Sequence, residues 1–445
     1  MSKKLHLAGY LNPSPTLHSD ASWKHPRASQ KYPDPKIYQD VARTLERGFF
    51  DFVFFADVLS APLRYGDSIK PAVEKGVQFV ASLDPSYIAL TMANVTRHLG
   101  LGVTRTTTYG HPFDLARSFA TLDHLTEGRI AWNVVTSVSN SEAQNYGVER
   151  LLDHSVRYER AHEFLEAAFK LWSSWEPDAL ILDKEKGIFA DPEKVHPVNF
   201  NGKWFKTRGP LTVPHSPQGR PAIMQAGSSD RGRDFAAKWA EVVFLIDPTE
   251  EGRRKHYKDV KSRLAAAGRD PEGTKIFPAF IPFIGETESI AREKQAFHNS
   301  LVDPVAGLIG LAIQLDVDFS KYSLDEPFEN VPDAGGIQGM LNIARKLSKK
   351  DNLTIGDVGR LYGEGTLLPQ IAGTPKQIAD HLEHYFKDEQ GDGFIISPAY
   401  LPGSFQEFTD FVVPELQHRG LLRTRYESTT LRENLGLSPK ADLSR

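Results

Sequence analysis

The sequence predicts a (β/α)8 barrel, and three observations carry that expectation. Eight short apolar, β-branched runs recur nearly from end to end of the 445 residues. Most are continuously apolar rather than alternating, as strands buried on both faces require. Each is followed, sooner or later, by a segment of helical periodicity with recognisable start and stop signals. A doubly wound open sheet is the alternative; eight βα units and no dinucleotide fingerprint favour closure.

The predicted strands, in order, are "LHLAGY" from Leu5, "FDFVFFAD" from Phe50, "LGLGVTRTT" from Leu99 and "RIAWNVVTS" from Arg129. "PAIMQAG" from Pro221, "EVVFLID" from Glu241, "KIFPAFIPFIG" from Lys275 and "GFIISPA" from Gly393 complete the set. Among the helices, "YQDVARTLERG" stops at Gly48, "DPSYIALTMANVT" opens on Asp84-Pro85, and "HPFDLARSFATLDHLTEG" runs from Pro112 to Gly128. Proline at the first helical position and glycine past the last are the expected asymmetry. "PTEEGRRKHYKDVKSRLAAAG" and "TPKQIADHLEHYFK" behave alike, and "LLDHSVRYERAHEFLEAAFKLW" reads as a loop entering a long amphipathic helix. Glu159, Arg160 and Glu163 on that helix read as surface pairing.

The alternation is interrupted at about 58–84, 176–220 and 305–372, within one domain spanning 1–445. Asn201-Gly202 marks a hairpin in the second insertion. The third is rich in Gly, Pro and Asp and reads as lacking a core of its own, which suits a lid or binding loop.

Composition narrows the function. A formal charge of −4 with no basic block argues against nucleic acid. No run of about 18 apolar residues suggests a membrane span, and "MSKKLHLAGYLNPSP" turns polar too early for a secretory signal. The expectation is a cytoplasmic protein. With no cysteine, disulfides, thiolate metal sites and cysteine nucleophiles are excluded. His381 and His384 stand at i, i+3 in "DHLEHYF" without the His-Glu-x-x-His pattern, so no metal site is expected.

In a barrel of this kind, function collects where strands end and βα loops begin. Asp57 ends the second strand, Thr104, Thr106, Thr107 and Thr108 the third, Thr136 and Ser137 the fourth, and Ser228 and Ser229 follow the fifth. Short hydroxyls with one carboxylate suit holding a polar, planar cofactor better than hydrolysis. In "QAGSSDRGRDF" a strand leads through Gly227 and two serines into a helix, so its free amides could hold a phosphate. The serines could equally be plain helix caps. His154 and Tyr158, four apart beside Arg157 where the long helix begins, could donate to the same phosphate, or cap and pack. Asp57 could accept from a ring N–H or cap its loop. Trp23 and His25, in "SWKHP" of the first βα loop, are candidates for the substrate pocket or simple loop anchors.

The runs "ARTLERGFFDFVFFAD", "HLGLGVTRTTTYGHPFDLARSFATLDHLTEGRIAWNVVTS", "DHSVRYERAHEFLEAAFKLWSSWEPDA" and "QAGSSDRGRDFAAKWAE" together resemble the luciferase-like flavin monooxygenases. The likeness is to the branch containing nitrilotriacetate, EDTA and dibenzothiophene-sulfone monooxygenases. "GKWFKTRGPLTVPHSPQGRP", "DGFIISPAYLPGSFQEFTDFVVPELQHRGL" and "TLRENLGL" extend it over nearly the whole chain.

The resemblance implies a luciferase-like barrel that takes FMN already reduced by a separate NAD(P)H-dependent flavin reductase. Dioxygen would react through a C4a-(hydro)peroxyflavin, one oxygen atom entering a small organic substrate. It further implies that Asp57, Thr106, and Thr136 or Ser137 line the flavin, while His154, Tyr158, Ser228 and Ser229 hold its phosphate end. It implies a homodimer or homotetramer. A deazaflavin-dependent hydride-transfer enzyme of the same superfamily, or a barrel that binds flavin without turnover, is the alternative. Branch members oxidise organosulfur compounds, aminopolycarboxylates and alkanes. Trp23, Phe55, Leu59, Trp132 and Val138 would suit an apolar substrate, and Arg64, Lys70 or Arg105 a carboxylate.

Overall fold

A computed structural model describes residues 3–227, 229–332 and 336–438. Eight parallel strands form the barrel: β1 (His6–Leu11), β2 (Phe52–Phe55), β3 (Gly100–Thr106), β4 (Ile130–Val135), β5 (Ala222–Gln225), β6 (Val242–Leu245), β7 (Lys275–Ile284) and β8 (Gly393–Ile396). Each pairs with its neighbours in chain order, and Ala8 of β1 stands opposite both Phe52 of β2 and Ile395 of β8, which closes the ring. The expected closed barrel is therefore the fold, and all eight expected strands belong to it.

Period-two geometry explains the continuous apolar runs. Tyr10, Phe52, Phe54, Met224 and Phe277 point into the barrel, whereas Leu11, Val53, Phe55, Val103 and Trp132 point outward under the helices. Both faces are buried, so no position calls for a polar residue. Helices start where the sequence signals them: Asp34 accepts from Lys36 N ahead of Pro35–Arg47, and Asp84 from Ser86 N ahead of Pro85–Ala93.

The N-terminal rim is pinned by three buried carboxylates, each one residue ahead of a strand. Asp51 accepts from Leu7 N of β1 (2.9 Å), Glu241 from Ile223 N of β5 (3.0 Å), and Asp392 from Ile276 N of β7 (3.0 Å). Each has its own basic partners: His6 and Arg423 at Asp51, Arg220 and Arg432 at Glu241, Lys3 and Lys261 at Asp392. Arg432 belongs to the C-terminal segment, so this grip also fastens the tail beneath the barrel.

The insertions differ from expectation in part. The hairpin near Asn201-Gly202 is present, with Phe200 opposite Thr207, but four residues rather than a tight pair connect its strands. Glu163 of the long helix His154–Trp172 accepts from the backbone N–H groups of Lys203, Trp204 and Phe205 (2.9, 2.7 and 2.7 Å). Arg160 lies over the Phe205 ring at 4.4 Å. Both anchor the hairpin, which corrects the reading of Glu163 and Arg160 as surface pairing. A second hairpin, Leu180–Asp183 with Ile188–Ala190, was not expected.

The third insertion has a core after all. Helices Pro304–Leu315, Gln338–Asp351 and Ile355–Gly365 bury Leu308, Leu311, Leu315, Phe328, Leu341 and Val358 together. Glycines permit the closest crossing, since a Cβ built on Gly307 would lie 1.8 Å from the Gly359 carbonyl oxygen. Asp303, Pro304 and Asp316 sit at helix ends while Gly307 and Gly359 lie within the helices, and together they mask the apolar faces in composition. The second half of β7 pairs with a further short strand, Gln370–Gly373, which ends the insertion. Among the described residues no single helix is long and apolar enough to cross a membrane.

Replacing Glu241 with Gln leaves Arg220 and Arg432 buried against an uncharged partner, and should lower unfolding free energy at neutral pH by roughly 3–5 kcal/mol. Burial by itself raises the Glu241 carboxyl, but the two guanidiniums overcome it and hold it far below the usual 4.5. A depressed folded value means the stabilisation is complete above pH 4.5 and is lost as pH falls below it. Urea unfolding of both proteins at pH 7 and at low pH should show the gap narrowing on acidification.

Candidate functional site

The C-terminal ends of the strands open into two adjoining clefts of about 980 and 820 Å³, counting their open mouths. Asp57, Thr104 and Val135 border both. The larger lies over the barrel interior, between the strand ends and the third insertion, which contributes Ile337, Met340 and Ile343. The β1 loop is tied to that insertion: Thr366 Oγ1 donates to His18 O (3.0 Å) and Asp20 N to Gly363 O (2.8 Å).

Asp57 sits at the boundary, mostly buried. Burial pushes its carboxyl up to about 7, with Arg105 opposing and Asp84 adding to the rise. Arg105 itself is paired with Asp84 at 2.6 Å. Near neutral pH Asp57 is thus poised between donor and acceptor.

The four third-strand threonines are mostly occupied with backbone. Thr104 donates to Phe55 O (2.6 Å), Thr107 to Val135 O (3.3 Å) and Thr108 to Thr136 O (2.7 Å). Thr106 instead meets the Ser137 hydroxyl at 3.0 Å, so these two residues are brought together. Ser137 also reaches the buried Glu142 (3.1 Å), and its φ of 56° folds the β4 loop back on itself. Thr136 contributes its carbonyl, which accepts from Thr108 and from Arg157 Nη1 (3.2 Å). Arg157 also donates to Ser137 O, so it holds the β4 loop in place.

At the end of β5, His154, Tyr158 and Ser229 converge. His154 is the first residue of its helix and exposed; its ring lies 5.0 Å from that of buried Tyr158. Burial raises the Tyr158 phenol, and a hydrogen bond with the Ser229 hydroxyl opposes the rise. Burial, Arg157 and Arg231 all lower His154, leaving it neutral at pH 7. Ser229 caps helix Asp230–Trp239 through Gly232 N (3.1 Å), so the capping reading holds for its oxygen. Ser228 lies outside the described residues. A Cβ on Gly227 would meet the Tyr158 hydroxyl at 3.1 Å and Gly232 Cα at 3.0 Å. Only glycine permits this close approach of loop, phenol and helix start.

Trp23 and His25 are not in either cleft. Trp23 is 40% exposed and packs by Gly76, while His25 stacks on Tyr400 at 3.9 Å with 4° between planes. They are loop anchors, and the same loop sends His18 into the larger cleft instead. Phe55 and Trp132 face the helices; Leu59 borders only the smaller cleft, and Val138 neither.

Sequence reasoning missed Tyr10, His18, Gln78 and Asn133, all lining the larger cleft. Asn133 donates to Thr104 Oγ1 (2.8 Å), while its buried Oδ1 has no partner among the described residues. An amide within "IAWNVV" and a phenol ending "LHLAGY" were the available signals: polar atoms in buried strands need partners.

The model of the luciferase-like monooxygenases matches residues 16–389. The chain belongs to that family, and is an oxidoreductase that incorporates molecular oxygen. It is 47% identical to dibenzothiophene-sulfone monooxygenase of Rhodococcus erythropolis (strain XP), over 98% of this chain and 97% of the relative. It is 41% identical to nitrilotriacetate monooxygenase component A of Aminobacter aminovorans, over 100% and 99%. A solved riboflavin lyase holding modified FMN superposes with a TM-score of 0.90 at 30% identity, covering 99% of this chain and 98% of that one.

Asp57→Asn should alter the pH dependence of stability. With the folded value raised to about 7, the protonated form is favoured below 3.8 and that advantage is lost as pH rises through 7. The variant should therefore gain thermal stability relative to the parent as pH goes from 5 to 8. Parallel melting curves across that range would refute a buried, raised carboxyl.

Proposed function

We propose that this chain is the oxygenase component of a two-component system, binding FMN reduced by a separate NAD(P)H-dependent flavin reductase and using O2 to oxygenate a small organic molecule. The convergence of Tyr158, Ser229 and His154 on the glycine-lined start of helix Asp230–Trp239 carries the reading. It combines hydroxyl and imidazole donors with a helix N-terminus, the chemistry a phosphate monoester needs. A relative 30% identical is solved with modified FMN, which supports FMN as the flavin.

Within the larger cleft the donor set fits an isoalloxazine. The orphaned Asn133 Oδ1 is an acceptor for a ring N–H. Asp57, with its value near 7, either accepts from the ring edge or donates to it. Ser137 and Thr106 buttress the β3–β4 side through their mutual bond. Reduced FMN, when bound, supplies the electrons that activate dioxygen. The protein's tasks are orientation and exclusion of water, and Ile337, Met340 and Ile343 of the insertion place apolar surface over the site for the second task. No acid/base dyad is required, which accords with the neutral groups around it. We assign the enzyme to the cytoplasm and to a homodimeric or homotetrameric state on family resemblance.

His154→Ala and Tyr158→Phe should each weaken FMN binding by about 1–3 kcal/mol, roughly 5- to 150-fold. Quenching of FMN fluorescence measures it, with melting temperature as the control for folding. Unchanged affinity in both variants would reduce these residues to helix packing and capping.

A further inference from the structure

The hairpin Leu180–Asp183 with Ile188–Ala190 leaves its apolar side chains uncovered. Leu180, Ile181, Leu182, Ile188 and Phe189 are all exposed, Leu182 by 55% and Phe189 by 66%. None of the five joins a hydrophobic core. Among the described residues the backbone of these two strands bonds only within the hairpin, so its outer edges keep free N–H and C=O groups. A lone two-stranded hairpin is marginal in water, and so dense an apolar surface on one marks a contact site.

The foot of the hairpin supplies a complementary shape. A groove of about 1090 Å³, counting its open mouth, is lined there by His124, Trp175, Pro177, His215 and Pro217. Trp175 and Pro177 lead directly into Leu180, so groove and arm adjoin. Gln218 and Gly219, just ahead of β5, also border the groove, which places it toward the N-terminal rim. It shares no lining residue with either cleft at the other end, so a molecule seated here leaves both clefts open.

Charge argues against a polyanionic partner. The turn alternates Asp183, Lys184, Glu185 and Lys186, and Lys186 lies 3.6 Å from Asp183. Lower down, Lys194 pairs with Asp178 and His196 meets Glu176 at 2.8 Å. No basic block is present to hold nucleic acid or anionic headgroups.

A second copy of this chain brings both halves of the fit at once. About a two-fold axis each copy can lay its arm over the groove of the other, since such an interface meets itself. The five side chains expose roughly 450 Å² per copy, over half of the ~800 Å² that each partner buries in a standard interface, and the groove walls add to it.

We propose that the hairpin 180–190 and the groove at its foot form the contact surface for a second copy of this chain. This deepens the homo-oligomeric reading above, on which it rests, by naming the surface. Light scattering on the protein eluting from a sizing column tests it. The parent should be a dimer or tetramer. The double variant Ile181→Asp, Phe189→Asp should fall to half that mass or less, with its far-UV circular dichroism unchanged. Ile181→Val with Phe189→Leu keeps the arm apolar and should keep the mass. Because the chain has no cysteine, Leu182→Cys or Phe189→Cys places a single thiol on the arm, and a short bismaleimide should then join two copies. If the Asp variant misfolds, this cross-linking decides alone. A monomeric parent overturns both the surface and the oligomeric reading. An oligomeric parent whose folded Asp variant keeps its mass, or whose thiols both fail to cross-link, overturns the surface alone.

Discussion

Closing eight parallel strands demands that every strand hold its register against two neighbours, and the buried carboxylates at the N-terminal rim supply that constraint. Asp51, Glu241 and Asp392 each sit one residue before a strand and accept the first free backbone N–H region of the strand beside it. Burying them costs solvation, and each is offset by basic side chains brought from distant segments. The consequence is a division of labour between the two ends. One end is rigid, charged and internally satisfied, and the other is left open for loops.

The open end has the opposite electrostatic character. Its groups are hydroxyls, amides, a neutral imidazole and a carboxyl raised to about 7, and Asn133 Oδ1 is left without a partner among the described residues. Guanidiniums near the site are spent on structure: Arg157 on the β4 loop carbonyls and Arg105 on Asp84. Low charge under an apolar cover strengthens whatever hydrogen bonds a ligand makes, because little competing water or counter-charge remains.

Strand order and most helix limits were legible because they depend on local rules. Apolar runs of strand length, Asp-Pro starts and glycine stops are read one segment at a time. The helical insertion was misread for a related reason. Its apolar faces are assembled from three separated helices, and only their packing through Gly307 and Gly359 shows that they form a core. Trp23 and His25 were misplaced because a strand-end position says which rim a loop occupies and not which way it turns. The loop folds outward to seat His25 on Tyr400, and inward only at His18.

By itself, the sequence determined the barrel, its eight strands, the family and the set of hydroxyls at the strand ends, since each is written in contiguous residues. Tertiary structure decided which hydroxyls are already consumed by backbone, that Tyr158 meets Ser229 across the β5 loop, and that among the described residues no lysine or arginine lines the larger cleft. Those are properties of residues far apart in the chain, where burial and competing partners, rather than residue type, set what a side chain is free to do.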